Sequence, residues 1–279
     1  MSAQTGKRNR EGFTLIELLV VIAVIAMLLS IVMPAFRRAR QIAREAVCMS
    51  NLRQWGLVFG MYTQDNDNRF HGGFEGGTSY AVMFERNWVG RTRPYYQDPQ
   101  IRSCPSTSEP RRDNSGALVN DVPNAEWGYY DTSSTTDQEE FLSGSYGINW
   151  WVNDPEQTTG YLYDVYPVED FWRRMDTSGG SQVPLLGDSL FFLARPRDID
   201  LPPEQDGMWR WASNGMYRMC TDRHRGQVNH LFMDFSVRGV GLKGLWALKW
   251  NKGFNTGNRF ADPDSPFWNS YEWIQKASR

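Results

Sequence analysis

Residues 12–36 read GFTLIELLVVIAVIAMLLSIVMPAF, and this stretch decides the architecture. From Leu18 to Phe36 no side chain is charged, a run of about 19 residues, which is what a helix needs to cross a bilayer. The first eleven residues are polar and carry Lys7, Arg8 and Arg10. A signal peptide is the rival reading, but its apolar region would be shorter and small residues would mark a cleavage site behind it. Ser30, Met33, Pro34 and Ala35 offer no convincing site of that kind. Charge counting does not orient the span, because Arg37, Arg38, Arg40 and Arg44 follow it much as the three basic residues precede it.

Two residues within the stretch stand out. A carboxylate at the centre of a spanning helix costs roughly 2.5–3.5 kcal/mol, and Glu17, near the end of the span, costs less. Glu17 either lies in the headgroup zone or meets a cation. A cut between Gly12 and Phe13 would create such a cation, an ammonium one helical turn before Glu17. Pro34 cannot donate to the Ser30 carbonyl and its ring crowds that turn, so a kink or loosening is expected there, with the helix continuing beyond.

Working outward, RRARQIAREAVCMSNLRQWGLVFGMYTQDNDN follows at residues 37–68. Cys48, Leu52, Trp55, Phe59 and Tyr62 recur at alternating intervals of four and three, an apolar stripe on one helix face. Asp65-Asn66-Asp67-Asn68 are poor helix formers and end it. A helix from Phe13 to Gln64 would be about 75–80 Å long, and its lower half must dock the stripe on a globular head. In the head, residues 105–140 are rich in Ser, Thr, Asp, Asn and Pro and read as a long surface loop. Residues 183–193 read as a strand pair or buried strand, and residues 227–233 as another strand, turned by Asp234-Phe235-Ser236 into a return at residues 237–240. The expected class is α+β, a long helix packed on an antiparallel sheet.

Composition sets outer limits. The chain has 279 residues, 41% of them apolar, enough to bury a core. With 30 basic and 32 acidic side chains it lacks the basic excess of a general nucleic-acid binder. Its negative mean hydropathy excludes a multi-span membrane protein but allows one span. Three cysteines cannot make a four-thiolate zinc site, and no Cys-x-x-Cys is present. The 12 Trp, 12 Tyr and 15 Phe require an account, either as core or as a surface that stacks on sugar rings.

The stretch Gly12-Phe13-Thr14-Leu15-Ile16-Glu17-Leu18-Leu19-Val20, behind its basic leader, resembles the processing motif of type IV pilins and type II secretion pseudopilins. The resemblance implies cleavage after Gly12 by a prepilin peptidase on the cytoplasmic side, N-methylation of Phe13, and pairing of Glu17 with the Phe13 ammonium of a neighbouring subunit. A proline at the position of Pro34 is frequent in such chains. The implied organisation is a cleaved leader at 1–12, a transmembrane helix at 13–36, an amphipathic stalk at 37–64 and an extracytoplasmic head at 65–279. The implied place is the inner (cytoplasmic) membrane, single-pass, with the head in the periplasm or outside the cell. The implied partners are prepilin peptidase and other pilin-like subunits, with no nucleic acid. The implied role is a structural subunit of a pilus or secretion pseudopilus, not an enzyme. The competing reading is a membrane-tethered glycan-binding or hydrolytic head on a pilin-type anchor.

If that topology holds, Cys48 and Cys104 face an oxidising compartment and a disulfide between them would tie helix to head, worth roughly 2–4 kcal/mol, with Cys220 left over. The head has a narrower resemblance, carried by Cys48-Met49-Ser50-Asn51, Ser103-Cys104-Pro105, Tyr146-Gly147-Ile148-Asn149 and the His224–Asp234 interval. These are similar to a large planctomycete-type pseudopilin-like family that ends in an H-x9-D-G signature. Here Phe235 replaces the glycine, which puts the turn in doubt because glycine tolerates positive φ. A structural hydrogen bond from His224 to a turn or to Asp234 is expected, and His230 has apolar neighbours on its strand face. No cofactor and no metal centre are expected. Residues 65–70 begin like a calcium loop but place Arg69 and Phe70 where an oxygen ligand and glycine are wanted, and Asp262 with Asp264 is the remaining calcium candidate.

Overall fold

The computed structural model describes residues 15–73, 87–108, 111–112, 118–119, 125–131, 140–208 and 215–277. Helix α1 spans Leu15–Asp65 and runs through Pro34. The chain divides into two compact units between Ala43 and Arg44, so the end of α1 from Arg44 onward is part of the head. The helix stops at the predicted polar run, where Asp67 and Asn68 take left-handed backbone with φ of 54° and 59°. Asn66 N–H and Asn68 N–H both donate to the Thr63 carbonyl and close the end.

Among the described residues eleven strands follow: β1 Arg111–Arg112, β2 Leu118–Val119, β3 Trp127–Asp131, β4 Glu140–Gly144, β5 Tyr146–Asn149, β6 Tyr161–Leu162, β7 Tyr166–Pro167, β8 Pro184–Asp188, β9 Leu193–Ala194, β10 Gln227–Phe232 and β11 Val237–Gly241. The central sheet has the order β11-β10-β8-β5-β9. It is antiparallel except at its edge, where β9 lies parallel to β5. The predicted β10–β11 hairpin is present with Gln227 opposite Gly241 and Leu231 opposite Val237. Residues 105–140 depart from the expected loop: β3 and β4 pair over five residues, and β1 pairs with β2. Trp127, fully buried, anchors β3 by donating its indole N–H to the Tyr146 carbonyl.

Both faces of the sheet are covered. The stripe on α1 (Cys48, Leu52, Trp55 and Phe59) lies in one core with Ile148, Leu186 and Leu231. On β10 the period of two sends Val228 and Phe232 into a second core with Trp246, Trp250 and Trp268. This explains why β10 is buried from Val228 to Phe232 without polar alternation.

Tryptophans hold the irregular parts of the head together. Indole N–H groups donate to backbone carbonyls from Trp55 to Ile101, Trp88 to Phe192, Trp151 to Pro196, Trp246 to Asp200 and Trp250 to Leu245. A head with short strands leaves many loop carbonyls inside, and each such indole fills volume while satisfying one of them.

Phe235 corrects the doubt about the turn after β10. It adopts φ of 64°, the left-handed conformation that glycine usually supplies. The strain of such a residue is on the order of 1–3 kcal/mol. Its ring lies over Gly56 and Gly60 of α1, where an added Cβ would sit 3.5 Å from ring carbons. The side chain thus packs against the helix while the turn keeps its geometry.

Candidate functional site

Two regions carry chemistry. The first is the amino-terminal part of α1. Every residue from 15 to 43 is exposed, including Leu15 at 80% and Phe36 at 68%. The helix is long and apolar enough to cross a membrane. The apolar surface from Leu18 to Phe36 is unfavourable in water by roughly 25 cal/mol per Å², so it calls for lipid or like helices around it. Glu17 sits in the first turn, where the helix dipole favours a carboxylate. Near Pro34, the Ser30 hydroxyl donates to the Met27 carbonyl. Gly12, Phe13 and the rest of the leader lie outside the described residues.

The second region is a buried polar cluster in the head, built from four separated segments. Cys48 comes from α1, Cys104 from the loop after the 3-10 turn Pro99–Arg102, Asp188 from the end of β8, and His224 from the loop before β10. All four residues are at most 4% exposed. His224 Nε2 lies 3.2 Å from Asp188 Oδ2 and 3.4 Å from Cys104 Sγ. Cys48 Sγ is 3.7 Å from Asp188 Oδ1, and the Tyr146 hydroxyl lies 3.3 Å from Cys48 Sγ. Arg223 Nη1 is 3.6 Å from Asp188 Oδ1, and its guanidinium also donates to the Ser145 and Ser189 carbonyls.

Local structure aims these groups. Asp188 stands opposite Tyr146 across the β5–β8 pair, and the Asn229 N–H of β10 donates to its Oδ2 at 3.0 Å. The His224 loop is a tight turn in which Arg225 and Gly226 have φ of 55° and 82°. Asp222 accepts from the Gly226 N–H to close it. Arg225 pairs with Glu45 on α1 at 3.1 Å.

Electrostatics follow from this packing. Burial pushes Asp188 up, but the His224 bond, the His224 and Arg223 charges and the Asn229 N–H outweigh it and hold the carboxyl below its usual range. Burial pushes His224 down, yet bonds to Asp188 and Cys104 raise it to about 10. The hydrogen bond from Cys48 lowers Cys104 to about 6 against the effect of burial, while burial drives Cys48 well above the ordinary thiol value.

The outcome differs from the sequence expectations in two places, the cysteine pair and the partner of His224. Cys48 and Cys104 are brought together but both are free thiols, so the expected bridge is not formed in this structure. Cys220 is also free and buried. His224 does not bond Asp234. Its partner is Asp188, and Asp234 instead accepts from the backbone N–H and hydroxyl of Ser236 inside the turn. Trp150, Trp151, Trp246, Trp250 and Trp268 are at most 3% exposed, which removes them as a stacking surface for sugars. Trp209 and Trp211 lie outside the described residues. Asp262 is exposed and accepts from the Asp264 N–H, as an ordinary polar turn does. Sequence reasoning missed Asp188 and Arg223, because nothing local marks a β-strand Asp as facing a helix Cys.

His71 and His230 give the head an acid sensitivity. Burial, reinforced by Arg91, lowers His71 to about 3, and burial lowers His230 to about 4. Both stay neutral in the fold, while the unfolded chain protonates them near 6.5. Stability is therefore present above about pH 6.5 and lost as pH falls, at about 1.4 kcal/mol per pH unit for each. Burial raises Asp200 to about 6, which offsets one of the two below that pH. His224, raised to about 10, keeps its proton in the fold while the unfolded chain gains one only through about pH 6.5, so it opposes the trend near that pH and adds no slope by about pH 5. Urea midpoints are expected to fall between pH 6.5 and pH 5, and an unchanged midpoint would remove this account.

Comparisons with known proteins address the first region. A family model described as the prokaryotic N-terminal methylation motif matches residues 7–33. The type IV wide pilus major component PilA4 of Thermus thermophilus is 43% identical over 61 residues, covering 22% of this chain and 47% of that protein. The match thus spans about half the length of the relative. No solved structure matches the chain significantly. The apolar amino-terminal helix, the methylation motif and the match to a pilus component make the amino-terminal part of this chain similar to that of type IV pilins.

Proposed function

We propose that the chain is a membrane-anchored structural subunit, cut after Gly12 by prepilin peptidase and assembled through α1 into a type IV pilus or type II secretion pseudopilus-like filament. The observation that carries this reading is the apolar surface from Leu18 to Phe36, exposed at every residue among the described residues. Before assembly the bilayer covers it, and after assembly like helices do. The methylation motif at residues 7–33 supports the processing step. The leader stays cytoplasmic and the head lies outside the inner membrane. Glu17 neutralises the new Phe13 ammonium of a neighbouring subunit, so a charge that is costly in an apolar filament core has a partner.

Intact-mass measurement of the native protein tests the processing step. The expected species begins at a methylated Phe13, and substitution of Gly12 leaves the leader attached. A normal Phe13 start in the Gly12 variant would exclude the peptidase. Glu17→Ala is expected to insert in the membrane at wild-type level but to be depleted from sheared filaments by an order of magnitude or more. Incorporation at wild-type level would exclude the pairing.

A further inference from the structure

The buried cluster in the head has a geometry that hydrogen bonding alone does not explain. Cys48 Sγ, Cys104 Sγ, an Asp188 carboxylate oxygen and His224 Nε2 all lie within 4.8 Å of one another. Their nearest separations are 3.2, 3.4 and 3.7 Å. A tetrahedral ion with bonds of about 2.0–2.3 Å has ligand–ligand edges of about 3.3–3.8 Å. Moreover, His224 Nε2 faces Asp188 and Cys104 at once, and one ring nitrogen carries at most one proton. A cation at the centre would instead accept a lone pair from every one of these atoms.

We propose that Cys48, Cys104, Asp188 and His224 form a structural site for a zinc-class divalent transition-metal ion. The inference stands apart from the filament reading, since it rests only on the head. Two thiolates, an imidazole and a carboxylate are a borderline-soft set suited to zinc, whereas calcium and magnesium take oxygen ligands. Three anionic ligands around a dication leave one negative charge. Arg223, its side chain fully buried and 3.6 Å from Asp188, balances it. Groups outside the ligand set orient it as metal sites require: the Asn229 N–H holds Asp188, and the Tyr146 hydroxyl holds Cys48 Sγ. With every ligand buried there is no open coordination position, so the ion fastens α1 to the sheet and does no catalysis. The sulfurs bind as thiolates and His224 as neutral imidazole, so every proton these three groups carry on the ligand atoms, and the second ring proton of a charged His224, is released to solvent as the ion enters. A disulfide would compete, because it brings the sulfurs to about 2.05 Å and takes both from the ligand set.

The test uses the full chain purified from membranes in detergent without chelator. Elemental analysis is expected to find a stoichiometric zinc-class ion, lost in Cys104→Ser and His224→Ala and retained in Asp234→Asn, whose carboxylate lies in the exposed turn. Cobalt exchange of the unaltered protein provides a readout that needs no variant. The expected spectrum has intense visible bands of a tetrahedral ion and a thiolate charge-transfer band. Metal-free protein carrying a Cys48–Cys104 disulfide overturns the proposal. Folded metal-free protein with both thiols open to alkylation overturns it equally, as does a weak octahedral cobalt spectrum.

Discussion

Replacing Asp188 by alanine is expected to destabilise the head by about 3–5 kcal/mol, the usual penalty for stranding buried charge. Asp188 is fully buried and is the one carboxylate in its cluster. Its loss takes from the buried Arg223 guanidinium the carboxylate 3.6 Å away and from the His224 ring its 3.2 Å partner. The Asn229 N–H loses its acceptor as well. Asp188→Asn keeps an oxygen for that N–H but not the charge, so its cost falls between wild type and alanine. Urea unfolding of the detergent-solubilised chain, followed by tryptophan fluorescence, measures both. An alanine variant within about 1 kcal/mol of wild type would show that Asp188 is not the electrostatic centre of the head.

Trp55→Ala is expected to cost a similar amount, about 3–5 kcal/mol for an aromatic removed from a closed core. The Trp55 ring is fully buried and meets Trp88 edge-on at 4.9 Å and Tyr96 at 5.0 Å. Its indole N–H also donates to the Ile101 carbonyl at 2.7 Å. Trp55→Phe separates the two contributions: it keeps most of the volume but orphans that carbonyl, for about 1–3 kcal/mol. If phenylalanine matched wild type in the same urea experiment, the hydrogen bond would carry no weight at this position.

Legibility from sequence followed the range of the interactions. The apolar run, the stripe from Cys48 to Tyr62 and the β10–β11 hairpin are written in local periodicity, and each is present in the structure. The β3–β4 hairpin was hidden because its strands are joined through a Ser- and Thr-rich segment that reads as loop. The parallel edge strand β9 is two residues long, too short to show any period. The buried cluster was illegible for another reason. Its groups come from residues 48, 104, 188 and 224, and only the sheet register and the docking of α1 bring them together. The expected bond from His224 to a turn or to Asp234 gives way to one with Asp188, because a strand and its turn carry Asp234 away to solvent while β8 delivers Asp188.

The indole-to-carbonyl links constrain how this head can diverge. No other residue offers both the bulk and a rigid ring donor, so exchanging a buried tryptophan forfeits one or the other. Loops tethered in this way can change their intervening side chains freely, provided the tethering ring persists. Related heads should therefore keep tryptophan positions fixed while the surrounding text drifts, and a comparison anchored on those positions alone should align chains that otherwise look unrelated.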